Sequence, residues 1–177
     1  TNAGTAGGSL SLNLTGGSNT LETQNEYGTN TWTGHIYNAG GIAPEPFSSN
    51  YAGYYDVGSE TINEGFGGNE NCFAVYSGGV KRASIFTEGF AVRYKMKTTK
   101  SGCYIIRVTG DDGVRLSMNN TKIFDRWGEQ GSTTYNDILV RLDGDDDFVL
   151  DYYENAGGNV VGFTMIAFDA NVNNITE

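Results

Sequence analysis

The sequence predicts an all-β protein built as an antiparallel β-sandwich. Three observations carry this. Apolar residues recur with a period of two along most of the chain, the pattern of half-buried strands. No stretch shows the 3.6-residue apolar stripe of an amphipathic helix. Finally, 26 glycines stand against 2 prolines, a balance suited to many short turns rather than to a collagen-like or disordered chain.

Each element follows in order. Residues 1–25 are rich in Gly, Ser, Thr and Asn and read as a flexible lead-in or linker, with a candidate edge strand at Leu10, Leu12 and Leu14. Residues 26–177 form the sandwich domain. Asn38 to Glu70 holds both prolines, many glycines and scattered aromatics, and is expected to lie over the sandwich as an ordered loop region. Phe90, Val92, Tyr94 and Met96 then alternate with Arg93, Lys95 and Lys97. Tyr104, Ile106 and Val108 form the next alternation, and Val114, Leu116 and Met118 the one after. Ile138, Val140 and Leu142, then Phe148, Leu150 and Tyr152, and finally Val161, Phe163, Met165 and Ala167 complete the series.

Composition narrows the function. A formal net charge of −10 repels phosphate and argues against a nucleic-acid partner. No apolar run is long enough to span a membrane, and the absence of a charged-then-apolar leader suggests a mature protein or an excised domain. Cys72 and Cys103 fit one disulfide in a secreted protein, closing a loop of about 30 residues and adding about 3–4 kcal/mol by the loop-entropy model; a pair of free thiols is the alternative. Sequons at Asn13, Asn119 and Asn174 matter only in a eukaryotic secretory host.

The densest chemistry lies at Gly110-Asp111-Asp112-Gly113-Val114-Arg115-Leu116, followed by Ile123-Phe124-Asp125-Arg126-Trp127. Two adjacent carboxylates sit where one strand pattern stops and the next begins. Carboxylates so close repel unless a proton or cation lies between them. A hard divalent cation is one remedy, because Ca²⁺ accepts six to eight oxygens from a flexible loop. A solvated Asp-Gly turn is the other reading.

With Trp32-Thr33-Gly34-His35-Ile36-Tyr37 upstream and Phe148-Val149-Leu150-Asp151-Tyr152-Tyr153-Glu154-Asn155 downstream, this segment resembles the PA14 domain family. Three motif blocks appear in the family's order, from Trp32 to Phe168. The resemblance implies a β-sandwich of the kind found in secreted adhesins, glycosidases and toxins. In the lectin branch it implies a cis peptide between Asp111 and Asp112 and a bound Ca²⁺ that takes sugar hydroxyls directly. The Glu154-Asn155-Ala156-Gly157-Gly158-Asn159 loop resembles the branch's second calcium loop, with the Asn155 side chain and the carbonyls of Gly157 and Asn159 as ligands; a glycine-rich hairpin is the plain alternative. Trp127 and Trp32 are candidates for stacking on a sugar, although the family pattern places a Trp of the Trp127 type at the core edge. Arg115 is expected to pair with Asp125 or Glu154, or to meet a ligand.

Two other acidic stretches offer less. Asp143-Gly144-Asp145-Asp146-Asp147 reads as a solvated hairpin turn, and the Asp169 to Asn173 run lacks the glycine and distal Glu of an EF-hand. Catalysis has little support: His35 is the lone histidine, acidic pairs abound without a spacing that selects one as a glycosidase pair, and Asp111 and Asp112 are too close together to be it. The expectation is a Ca²⁺-dependent carbohydrate-binding module of a larger secreted or cell-surface adhesin, not an enzyme. The alternatives are a non-lectin PA14 spacer or protein-contact module, and an accessory domain of a polysaccharide-degrading enzyme.

Overall fold

The structure is a computed structural model, and it describes residues 9–12, 23–39, 45–48, 50–77 and 80–168. Leu14, the sequons at Asn13 and Asn174, and the run from 169 to 173 lie outside the described residues.

Fourteen strands are described: β1 (Ser9–Leu12), β2 (Gly28–Thr29), β3 (Thr33–Tyr37), β4 (Tyr51–Asp56), β5 (Ile62–Gly65), β6 (Cys72–Ser77), β7 (Val80–Phe86), β8 (Phe90–Thr98), β9 (Ser101–Asp111), β10 (Gly113–Met118), β11 (Thr121–Arg126), β12 (Thr133–Asp143), β13 (Asp146–Glu154) and β14 (Val160–Ala167). The larger sheet runs β11-β10-β13-β8-β3-β4-β1-β6-β7, with β2 beside β8; the smaller runs β12-β9-β14-β5. Most pairings are antiparallel; β1 with β6 and β2 with β8 are parallel.

The alternation seen in sequence becomes the core. Val92, Tyr94 and Met96 of β8, with Phe148, Leu150 and Tyr152 of β13, face Ile106 and Val108 of β9, Val140 of β12 and Phe163 of β14, all within one buried cluster. Trp32 sits inside it, wholly buried. Its ring lies 4.8 Å from Phe163, and its indole N–H donates to the Glu60 carbonyl at 2.7 Å. A buried, fully bonded Trp32 is a core residue, which corrects its candidacy for sugar stacking. Glu64 is also internal, accepting bonds from the hydroxyls of Tyr55 and Tyr94, and burial raises its pKa.

Three further expectations are corrected. The region from Asn38 to Glu70 contains β4 and β5, whose alternation is short and interrupted by glycines. Leu10 and Leu12 fall in β1, which pairs with both β4 and β6 and so is internal rather than an edge strand. The disulfide is not formed. Cys72 and Cys103 are free and exposed, one starting β6 in the larger sheet and the other on β9 in the smaller.

Candidate functional site

Asp111 ends β9, where it pairs with Val160 of β14 in the smaller sheet. Gly113 begins β10, where it pairs with Tyr153 of β13 in the larger sheet. The Asp111–Asp112 step is therefore the point where the chain crosses between sheets, and its peptide bond is cis. The β13–β14 connection crosses in the opposite direction, from Glu154 to Val160. Pairing of the flanking strands brings these two crossings together at one end of the sandwich. The β11–β12 loop covers a third side.

One carboxylate oxygen each from Asp111, Asp112 and Glu154 lies within 4.8 Å of the others. Asp112 is nearly buried and braces two loops: Gln130 N–H donates to its Oδ1 at 3.0 Å, and Asn155 N–H to its Oδ2 at 2.8 Å. Gln130 is held in turn, its Nε2 donating to the Asp112 carbonyl at 2.9 Å and its Oε1 accepting from Tyr135 at 2.7 Å. The Tyr152 hydroxyl lies 2.8 Å from the Asp111 carbonyl and 3.0 Å from Glu154 Oε2. The hydroxyl, with its single proton, donates to either oxygen.

Burial, reinforced by the charges of Asp112 and Asp111 and opposed by the Tyr152 bond, pushes Glu154 up to about 8. Asp111 is raised by burial and then by Asp112, while the Ser132 backbone N–H opposes the shift. Three carboxyls this close do not all ionise without a neutralising charge. Glu154 Oε1 is buried with no hydrogen-bond partner, an acceptor left unused.

Asp111 and Asp112 border a shallow concavity of about 460 Å³, lined also by Glu129, Gln130, Ala156 and Gly158, among others, while Glu154 is buried behind them. Gly158 approaches Asp111 so closely that a Cβ there would stand 3.1 Å from its Oδ2. Asn155 is at the site through its backbone N–H, while its Nδ2 donates to Glu129 Oε1 at 3.1 Å. Gly157 has φ of 106° and donates its N–H to Glu88 Oε2 at 2.8 Å. The Asn159 side chain turns away, accepting at Oδ1 from Phe66 N–H (2.6 Å) and Gly68 N–H (3.2 Å). It ties the loop to the β5–β6 connection.

Trp127 is not among the residues lining this concavity. Its ring packs against Tyr153 at 4.6 Å, beneath the Arg115 guanidinium at 4.3 Å. It packs at the edge of the Tyr37, Ala91 and Tyr153 cluster and lines a neighbouring shallow concavity with Glu129 and Gln130. Arg115 pairs with Asp151 (2.9 Å) and Glu45 (3.1 Å) instead of Asp125 or Glu154; strand register sets it between Asp151 on β13 and Asp125 on β11, and Asp125 is taken by Lys122. The acidic turn at Asp143–Asp147 lies at the other end of β9, where Asp143 pairs with Ser101, about 33 Å away by strand rise. Asp146 there accepts from Asn119 Nδ2 and from Asp143 N–H.

Sequence reasoning missed the roles of Glu154, Glu129, Gln130 and Ser132. Glu154 was visible as the end of the Tyr-Tyr-Glu block; the others carry no sequence signal, since their place depends on how the β11–β12 loop folds back.

The molecule is thus a two-sheet β-sandwich with a carboxylate-lined site at its loop end. Its fold is of the PA14 type, and residues 92–160, the strands that build the site, match the family model of the PA14 domain. Among solved structures, the PA14 domain of the MpAFP antifreeze protein is similar at TM-score 0.58 and 15% identity, over 81% of this chain and 85% of that one. The PA14 sugar-binding domain from an RTX adhesin is similar at TM-score 0.52 and 16% identity, over 78% and 90%. An anti-sigma factor domain-containing protein is similar at TM-score 0.56 and 18% identity over 77% of this chain; the match spans only 42% of that longer chain. No curated protein matches the sequence.

Proposed function

We propose that this domain is a carbohydrate-binding module that recognises sugar hydroxyls through one Ca²⁺ held between Asp111, Asp112 and the β13–β14 loop. The observation that carries the reading is the convergence of the Asp111, Asp112 and Glu154 oxygens within 4.8 Å. Ligands that share one Ca²⁺ at 2.3–2.6 Å stand no more than about 5 Å apart, so this donor set fits. Its oxygen-only chemistry suits a hard cation. Asn155 and the carbonyl oxygens of Gly157 and Asn159 would complete the shell, and Glu154 joins the ligands expected from sequence. The ion supplies a charge at which two neighbouring sugar hydroxyls displace water, and the open concavity gives them access. The sugar-binding title of the RTX adhesin domain supports the ligand class, and with it a place in a larger extracellular or surface protein.

A second reading has its own support. Both oxygens of Asp112 already accept backbone N–H bonds, as in a spacer domain where the carboxylates only knit loops together. A glycan array run with Ca²⁺ and with chelator separates the two. The lectin reading expects retention on specific glycans that chelator removes. Absence of any Ca²⁺-dependent retention defeats it in favour of the spacer.

A further inference from the structure

A hollow on the outer face of the larger sheet carries chemistry that the loop-end site does not use. Strand register builds it. Lys95 stands opposite Val149, Val149 opposite Ser117, and Ser117 opposite Lys122 across β8, β13, β10 and β11. Three interstrand spacings put about 14 Å between the two lysine backbones. Short Val149 and Ser117 form the floor, and the long lysines stand at its two ends. The adjacent row, Arg93–Asp151–Arg115, closes one side, and Tyr27 lies on another.

The hollow measures about 380 Å³, and four cationic side chains line it against two carboxylates, in a chain of net charge −10. Those carboxylates are already engaged. Asp151 takes two bonds from Arg93 (2.7 and 3.0 Å) and one from Arg115 (2.9 Å). Glu45 takes two from Arg115, each at 3.1 Å. Lys122 bonds to Asp125. Lys95 remains, only 9% exposed. Its ammonium donates to the Gln24 carbonyl at 2.8 Å and lies 5.2 Å from the Tyr27 ring. Among the described residues it has no carboxylate within ion-pair distance, and burial lowers its pKa. A buried cation on which Asp151 and Asp147 act only from beyond ion-pair distance is incompletely compensated and costly, and an anion in the hollow would lower that cost.

We propose that this hollow binds a tetrahedral oxyanion, a sulfate or phosphate group, with Lys95 and Lys122 as its charge partners and Ser117 and Asn120 as further donors. Both arginine forks are occupied by carboxylates, so the planar, two-pronged recognition that suits a carboxylate ligand is not on offer. Ammonium groups, a hydroxyl and an amide approaching from different directions instead suit separate oxygens of a tetrahedral group. The oxyanion can be an inorganic ion or a sulfate ester on a sugar.

Amide-resolved NMR titrations at constant ionic strength test this, using sodium sulfate, sodium phosphate, galactose 6-sulfate and plain galactose, with sodium chloride as reference. Saturable shifts are expected at Ser117, Asn120, Lys122 and Val149. Lys95→Met and Lys122→Ala should each weaken binding about tenfold, the loss of one charge-assisted hydrogen bond. Lys100→Ala and added chelator should leave it unchanged, so the outcome is independent of the Ca²⁺ reading. If galactose 6-sulfate binds more tightly than inorganic sulfate while galactose does not bind, the source is a sulfated glycan; equal binding assigns the free ion. Should Lys95→Met fail to fold, Lys122→Ala and the floor-blocking Ser117→Phe decide. Shifts that do not saturate, or that survive those variants, overturn the proposal.

Discussion

Asp112 meets two demands at once: it accepts backbone bonds from two loops, and it is offered as a metal ligand. A carboxylate oxygen has lone pairs enough for both, but truncation then has two costs. Asp112→Ala should abolish Ca²⁺ binding in calorimetry and lower stability as well. Glu154→Gln separates these effects, since the amide keeps the shape and loses the charge. It should weaken Ca²⁺ binding roughly tenfold with little loss of stability. Asp143→Asn combined with Asp145→Asn removes two exposed charges at the far end and should leave Ca²⁺ affinity unchanged. Equal losses from the far-end pair and from Glu154→Gln would mean general electronegativity rather than coordination. His35 makes a different residue-scale prediction. It is fully buried, donates from Nε2 to the Glu26 carbonyl (2.8 Å), and as the neutral imidazole accepts at Nδ1 from the Tyr51 hydroxyl (3.1 Å). Burial lowers its pKa to about 4, against about 6.5 in an unfolded chain. The unfolded state therefore binds more protons between these values, and stability present above pH 6.5 is lost as pH falls through 4, by about 3 kcal/mol. Glu64 and Glu154, both raised, act in the opposite direction, so the readout is a difference. Urea midpoints of His35→Gln should fall less steeply than the parent's between pH 6.5 and 4. Parallel pH curves would refute the assignment.

At the scale of elements, β10 and β13 decide how the site is held. Gly113 faces Tyr153 across the pair, and a Cβ on it would stand 2.1 Å from the ring's Cε1. The ring cannot easily retreat, because Trp127 packs on it. Gly113→Ala should therefore cost about 1–3 kcal/mol by overpacking, whereas Gly128→Ala, with open space around it, should cost little; chemical denaturation of the two variants measures the contrast. The strands themselves were legible because burial on one face writes a period of two into Val92-Tyr94-Met96 and Phe148-Leu150-Tyr152. β4 and β5 were not: Ala52, Tyr54 and Tyr55 are buried in succession, so β4 has no clean alternation to read. The Asp pair was legible from local chemistry. Glu129 and Gln130 were not, because their contribution arises from a loop folding back over 18 residues of separation. The even cysteine count misled for a related reason: spacing along the chain does not say which sheet a strand joins.

For the molecule as a whole, the two sheets are linked at the site by adjacent crossings, so an ion bound there ties both halves of the sandwich together. Anything that binds only the folded state stabilises it by mass action. At a Ca²⁺ concentration a hundredfold above Kd the gain is about 2.7 kcal/mol. For a chain of this size each kcal/mol moves the melting temperature by about 2–4 °C, so saturating Ca²⁺ should raise Tm by roughly 5–10 °C. Chelator should return it to the starting value. Mg²⁺ should do much less at the same concentration, since it demands a tighter octahedral shell and sheds water reluctantly. Asp112→Ala should show no Ca²⁺ shift, while Lys95→Met, altered on the outer face, should keep the full shift. An equal rise with Mg²⁺, or a rise that persists in Asp112→Ala, would place the ion somewhere other than the crossing of the two sheets.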